Sequence, residues 1–174
     1  MKSHLAIDDF ELFALPRRFE LDRAELDARR RALQAEVHPD RFAAADSAAR
    51  LAAMQSAVRV NEAYERLRDP LRRAAYLCEL SGAPIRAEDN TAMPVDFLDR
   101  QMAWREALDD ASTAIDLQRI EQEVAAERKA AYQRLEKSLD GANDVAEAVR
   151  QVRTLMFVER FAADVDDRLA ALEH

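Results

Sequence analysis

Residues 37–42 read VHPDRF, a proline-bearing tip set between two strongly helical stretches, in a chain with only three histidines. Pro39 fixes its own φ and biases His38 away from the α region, so the helix arriving through Glu36 and Val37 has to stop there. His38, Pro39 and Asp40 therefore belong at the tip of a connection, where polar groups face solvent or a partner. Before the tip, Asp22 can cap a helix running to Val37, with Leu26, Leu33 and Val37 spaced for one face. After it, Asp46 or Ser47 starts a helix to about Arg68, with Leu51, Met54, Val58 and Leu67 as its expected buried side. A short connection between two long helices makes them antiparallel neighbours.

The punctuation continues outward from this hairpin. DDFELFALP, residues 8–16, gives a short first helix with Asp8 or Asp9 as cap, Phe10 and Phe13 as apolar contacts and Pro16 as stop. LRRAAYLCEL, residues 71–80, ends at Ser81-Gly82, and the turn formers of GAPIRAEDNTAMP, residues 82–94, read as a linker. Three further helices follow, roughly 94–110, 113–139 and 143–172, with a turn expected at Asp140-Gly141. With 2 Gly and 5 Pro in 174 residues, and no sustained polar-apolar alternation, the expected class is all-α. The expected domains are residues 1–80, a helical hairpin with short helices; a linker, 81–93; and residues 94–174, a three-helix bundle.

Composition excludes several functions. The single cysteine, Cys78, rules out an internal disulfide and a multi-cysteine zinc site, and fits a reducing compartment. No apolar run is long enough to span a membrane, and Asp8, Asp9 and Glu11 speak against a transit peptide, so a cytoplasmic protein is expected. Residues 1–80 carry 14 basic and 14 acidic side chains, whereas 81–174 carry 12 and 20. An acidic second half does not suit a nucleic-acid backbone, so no nucleic-acid partner is expected. It suits a basic protein partner better.

On the helix from Pro94, Phe97, Trp104 and Leu108, with Gln101 between them, form the obvious core row. Leu98, Met102 and Glu106 form the adjacent row, about 100° around the helix. That row either widens the core or lies exposed, and it turns acidic at Glu106 and Asp110, as a partner-facing surface would. On the last helix Val145, Val149, Val152 and Met156 share a face, with Phe157 about 100° off it.

The short helix, the antiparallel pair and the His-Pro-Asp tip resemble the J-domain of DnaJ co-chaperones. NEAYERLRDPLRRAAY, residues 61–76, is similar to the third J-domain helix and the basic segment after it. Where ordinary J-domains continue into a Gly-rich region, this chain runs apolar through Leu77 and Leu80 into a helical domain opening with FLDRQMAWREALDD, residues 97–110. Both features resemble the HscB family, the J-proteins of iron–sulfur cluster assembly.

The resemblance implies a co-chaperone that stimulates a DnaK/HscA-type ATPase chaperone and delivers the scaffold protein IscU to it. It implies that His38, Pro39, Asp40, Arg41 and Arg31 contact the ATPase chaperone, and that Leu98, Met102, Glu106, Asp110 and Phe157 hold the scaffold. Asp27 and Arg30 stand where the family has basic and aromatic residues, and Val37 replaces the usual tyrosine. Asp99 and Ala103 replace hydrophobic and acidic residues common at their positions. The alternative keeps the J-domain but serves another client, as general co-chaperones do; their Gly/Phe-rich and Cys-rich regions are absent from the sequence.

An enzyme reading rests only on His38 and Asp40. His4 and His174 stand at the termini, no Gly-rich phosphate loop exists, and no His, Cys and carboxylate spacing matches a metal site. Cys78, inside an apolar stretch, reads as core. No catalysis, metal or cofactor is expected.

Overall fold

The computed structural model describes residues 7–38, 41, 46–85 and 95–172, with side chains in the last stretch from Phe97 onward. The described residues form α-helices and one π-helical turn, and no strand. The chain divides into two compact units, Met1–Leu77 and Cys78–His174, the cut falling inside one helix.

Each helix starts where its side chains can satisfy the free amides of a first turn. Asp8 accepts from the Glu11 amide and begins α1, Asp9–Leu12. Asp22 accepts from Ala24 and Glu25 to begin α2, Arg23–Val37. Asp46 accepts from Ala49 and begins α3, Ser47–Arg68. Asp69 accepts from Arg72 directly before α4, Pro70–Leu80, whose proline occupies the first helical position, where no N–H is missed.

Two of these helices end in the same motif. After α4 the Ala83 amide reaches the Cys78 carbonyl at 2.9 Å and the Gly82 amide reaches Glu79, with Gly82 at φ +80°. After α1 the Leu15 amide reaches Phe10 and the Ala14 amide reaches Glu11. Here the left-handed position is taken by an alanine, Ala14, at φ +52°. This double bond from the two residues past the helix is the Schellman cap.

The first unit is fastened by buried polar contacts as well as by its core. Asp9 is fully buried, with Arg59 at 2.5 Å and Arg66 at 2.9 Å on its carboxylate. Its amide donates to the Tyr76 hydroxyl at 3.0 Å, and Tyr76 stacks on Phe10. Arg73 is buried too, donating to the Phe19 carbonyl at 2.8 Å and the Leu67 carbonyl at 2.5 Å. Residues from α1, α3 and α4 thus share charged and ring contacts that no single helix could supply.

On α3 the buried residues are Ala53, Val60, Ala63, Tyr64 and Leu67. Of the four expected there, only Leu67 is buried; Leu51, Met54 and Val58 stand 57, 57 and 56% exposed. The i, i+3, i+7 spacing of those three is a true helical row, but it is the outer one. The buried stripe mixes two small residues, Ala53 and Ala63, with Val60, Tyr64 and Leu67.

The second unit packs α5, Val95–Asp110, α6, Ala114–Glu136, and α7, Val145–Leu172. A reciprocal capping box of Thr113 and Asp116 opens α6. Its end is not a turn at Asp140-Gly141: the helix widens into a π-helical turn, Lys137–Ala142, and the left-handed residue is Asn143, at φ +50°. The amides of Asn143 and Asp144 both reach the Ser138 carbonyl. Asp144 then caps α7 by accepting from Glu147 at 3.0 Å.

The core holds Phe97, Trp104, Leu117, Ile120, Val124, Val158, Phe161 and Val165. On α7 the buried stripe runs Ala148, Gln151, Val152, Thr154, Leu155, Val158, Phe161, Val165. It shares only Val152 with the face expected from the valine spacing; Met156 is exposed. Gln151 is buried within a polar network, and Thr154 lines the cavity beside it. Arg100 pairs with Glu127, Glu127 with Arg134 at 2.6 Å, Arg134 with Gln151 at 3.0 Å and Gln151 with Glu147 at 2.5 Å, and Arg150 pairs with Glu147. This chain links all three helices around a cavity of about 420 Å³.

Candidate partner-binding surfaces

In the first unit α2 stops at His38, which takes an extended conformation with ψ 128°, as a residue before proline should. His38 is exposed. The Arg41 amide donates to the His38 carbonyl at 3.0 Å, and its guanidinium donates to the Ala35 carbonyl at 3.2 Å. Arg41 thereby closes back on the last turn of α2, whose carbonyls are the negative end of the helix. Pro39 and Asp40 lie outside the described residues. A groove of about 650 Å³ runs beside the tip, lined by Gln34, Ala35, Val37, His38, Arg41, Ala57 and Asn61. Arg31 is exposed on the same helix.

Asp27 and Arg30, the two unusual residues of α2, are both engaged with Tyr64 of α3. The Tyr64 hydroxyl donates to Asp27 at 2.7 Å, and Arg23 donates to that hydroxyl and to Asp27, each at 3.0 Å. The Tyr64 hydrogen bond, with help from Arg23, holds the Asp27 carboxyl below its ordinary value. The Arg30 guanidinium lies over the Tyr64 ring, 4.0 Å from its centre. Sequence reading singled out α2 but not Tyr64 as its organiser, since the two positions meet only through tertiary packing.

In the second unit the adjacent row of α5 is the exposed one. Leu98 is 40% and Met102 62% exposed, while Phe97 and Trp104 are buried. Glu106 and Asp110 are exposed farther along. Phe157 is half-buried and belongs to a ring cluster: edge-on to Phe97 at 5.7 Å and stacked on Phe161 at 5.8 Å. Phe161 in turn stacks on Trp104 at 5.6 Å. Arg105 lies over the Phe157 ring at 5.7 Å, a contact sequence reading missed, because the two residues stand on different helices.

Burial pushes the Cys78 thiol up to about 11, which keeps it protonated at neutral pH. No group of three or more His, Cys, Asp or Glu among the described residues could hold a metal ion. No described helix is long and apolar enough to cross a membrane.

Comparison with known proteins places the chain in a family. A family described as the HSCB C-terminal oligomerisation domain matches residues 93–166. The co-chaperone protein HscB homolog of Burkholderia thailandensis is 50% identical over 170 residues, covering 95% of this chain and 95% of that protein. The chain belongs to the HscB family, the co-chaperones of iron–sulfur cluster assembly. Its fold is that of HscB proteins of known structure, a J-domain followed by a helical C-terminal domain. The chaperone HscB from Vibrio cholerae superposes with a TM-score of 0.80 at 35% identity, over 95% of this chain and 99% of that one. Human co-chaperone HscB gives 0.82 at 28% identity, over 97% of this chain and 83% of that one.

Proposed function

We propose that the protein stimulates the ATPase of a DnaK/HscA-type chaperone in the cytoplasm and delivers the scaffold protein IscU to it, without catalysis of its own. Residues 1–80 act on the ATPase chaperone, through His38, Pro39, Asp40, Arg41 and Arg31. Residues 94–174 hold the scaffold, through Leu98, Met102, Glu106, Asp110 and Phe157, and 81–93 link the two. The observation that carries this reading is the pairing, in one HscB-family chain, of an exposed His38 on a stiff helix end with an exposed apolar row beside acidic side chains. A proline-stiffened tip costs little ordering on binding. Leu98 and Met102 form a small apolar patch with a charged border, the make-up of a protein contact.

Steady-state ATP hydrolysis by the chaperone, with this protein, with IscU and with both, tests the reading. The expected result is stimulation by each and synergy between them. His38→Gln is expected to keep its thermal midpoint and lose stimulation. Normal stimulation by His38→Gln would overturn the role of the tip, and stimulation without IscU synergy would select a different client.

A further inference from the structure

The cavity inside the second unit has a one-sided wall. Its side-chain carboxylate and amide acceptors belong to Glu127, Glu147 and Gln151, and every one of those oxygens is taken. Arg100 and Arg134 each hold one oxygen of Glu127. Arg150 and Gln151 do the same for Glu147, and the Arg134 Nε donates to the Gln151 amide oxygen at 3.0 Å. Donors, by contrast, are in excess. Arg100 keeps its Nε and Nη2, and Arg134 and Arg150 each keep Nη1, with no acceptor among the described residues. Thr154 is only 4% exposed, yet its hydroxyl has no partner among the described residues either. A buried hydroxyl normally has one.

Position adds to this surplus. Phe97 and Glu147 are the third residues of α5 and α7, so two helix starts, the positive ends of their peptide dipoles, border the cavity. The three arginines are about half exposed, which leaves the mouth open to a solute. A wall of unmatched donors calls for a ligand made of acceptors, and guanidinium forks fit the oxygens of a phosphate group. The volume, about 420 Å³, is that of a small-molecule site and more than a bare ion fills. Phe97 offers the remainder an apolar wall.

We propose that this cavity binds a small phosphate-bearing ligand, its oxygens on Arg100, Arg134, Arg150 and Thr154 and its organic part against Phe97. None of these residues is assigned to either proposed partner surface, so the site is independent of the co-chaperone reading. Its wall draws on all three helices, and a ligand there stabilises the folded bundle over the unfolded chain.

Calorimetric titration of the full-length protein with inorganic phosphate and with phenyl phosphate, at constant ionic strength, tests this. Both are expected to bind once per chain, phenyl phosphate the tighter because only it has a ring to place on Phe97. Equal affinities overturn the organic part of the ligand and support the phosphate part. Arg150→Ala is expected to weaken both roughly tenfold, the effect of losing a charge-assisted bond. Arg150 also fastens Glu147, so Thr154→Val serves as the variant that keeps the fold. It preserves the volume and removes a hydroxyl that had no partner; its thermal midpoint should equal or exceed the parent's while affinity falls roughly threefold. Three results overturn the proposal: no binding of either probe up to about 10 mM, an equal response to chloride, or a folded Thr154→Val that binds as the parent does.

Discussion

The two units secure their surfaces in opposite ways. In the first, the fastenings and the exposed groups are different residues: Asp9, Arg73 and Tyr76 lock α1, α3 and α4, while His38 and Arg41 stand at the free end of the hairpin. In the second, one residue serves both ends. Phe157 belongs to the ring cluster with Phe97 and Phe161 and also borders the surface, under Arg105. A surface built away from its fastenings can change without cost to the fold. A surface that shares a side chain with the core cannot, because any change of shape there is felt as a packing defect.

The largest effect expected from this contrast is at Trp104, which is purely core. Trp104→Ala should cost about 3–5 kcal/mol, as large aromatic truncations do, and should melt the second unit early in a thermal scan. Phe157→Ala should fall below it, at about 2–4 kcal/mol, because the ring is half-buried, and scaffold affinity should drop as well. Leu98→Ala and Met102→Ala should stay within about 0.5 kcal/mol of the parent while scaffold binding weakens. If these two melted as early as Trp104→Ala, the row would be core and the contrast between its two edges would vanish.

The first unit offers the matching break. Asp9→Ala would leave Arg59 and Arg66 facing a buried void. Removing one partner of a fully buried pair costs about 3–5 kcal/mol, and here about 2–3 kcal/mol is expected, because the Arg66 side chain is 42% exposed and partly solvated. Chemical unfolding measures this. ATPase stimulation by the folded fraction should be unchanged, since no fastening residue lies on the tip.

The smallest effect is at the start of α6. The Asp116 carboxyl is held below its ordinary value, mainly by the Thr113 hydroxyl that donates to it at 2.7 Å. A carboxyl lowered in the folded state stabilises at all pH above its unfolded value, and that contribution is lost as pH falls through the folded value. Acid titration followed by helical circular dichroism should therefore show a slightly shallower acid limb for Asp116→Asn than for the parent. An identical limb would mean that the capping box does not feel pH.

Much of the frame was legible because its signals are local. Asp22, Asp46, Thr113 and Pro39 fix helix ends within a few residues of themselves, and the structure places helix ends beside each. What misled was the choice of face. Leu51, Met54 and Val58 satisfy a core spacing, yet α3 buries Ala53, Val60, Ala63, Tyr64 and Leu67, a row whose alanines carry little apolar signal in the sequence. On α7 the buried Gln151 and Thr154 interrupt the apolar stripe; both line the three-helix polar network that draws on residues as distant as Arg100. The end of α2 was readable from one proline. The Asp27, Tyr64 and Arg30 cluster was not, since its members meet across 34 to 37 positions of chain.

Ala14 carries a consequence of another kind. It ends α1 with the same pair of hydrogen bonds that Gly82 makes after α4, and with Phe10 and Leu15 buried on either side. But it holds a left-handed φ that costs a side-chain-bearing residue about 1–2 kcal/mol. Glycine would remove that strain and return only about 0.4–1 kcal/mol through the freer unfolded chain. Ala14→Gly should therefore raise the midpoint of the first unit slightly, in a residue that lies on neither proposed partner surface. The molecule keeps an unused margin of stability there, available to offset a destabilising change introduced elsewhere in the same unit.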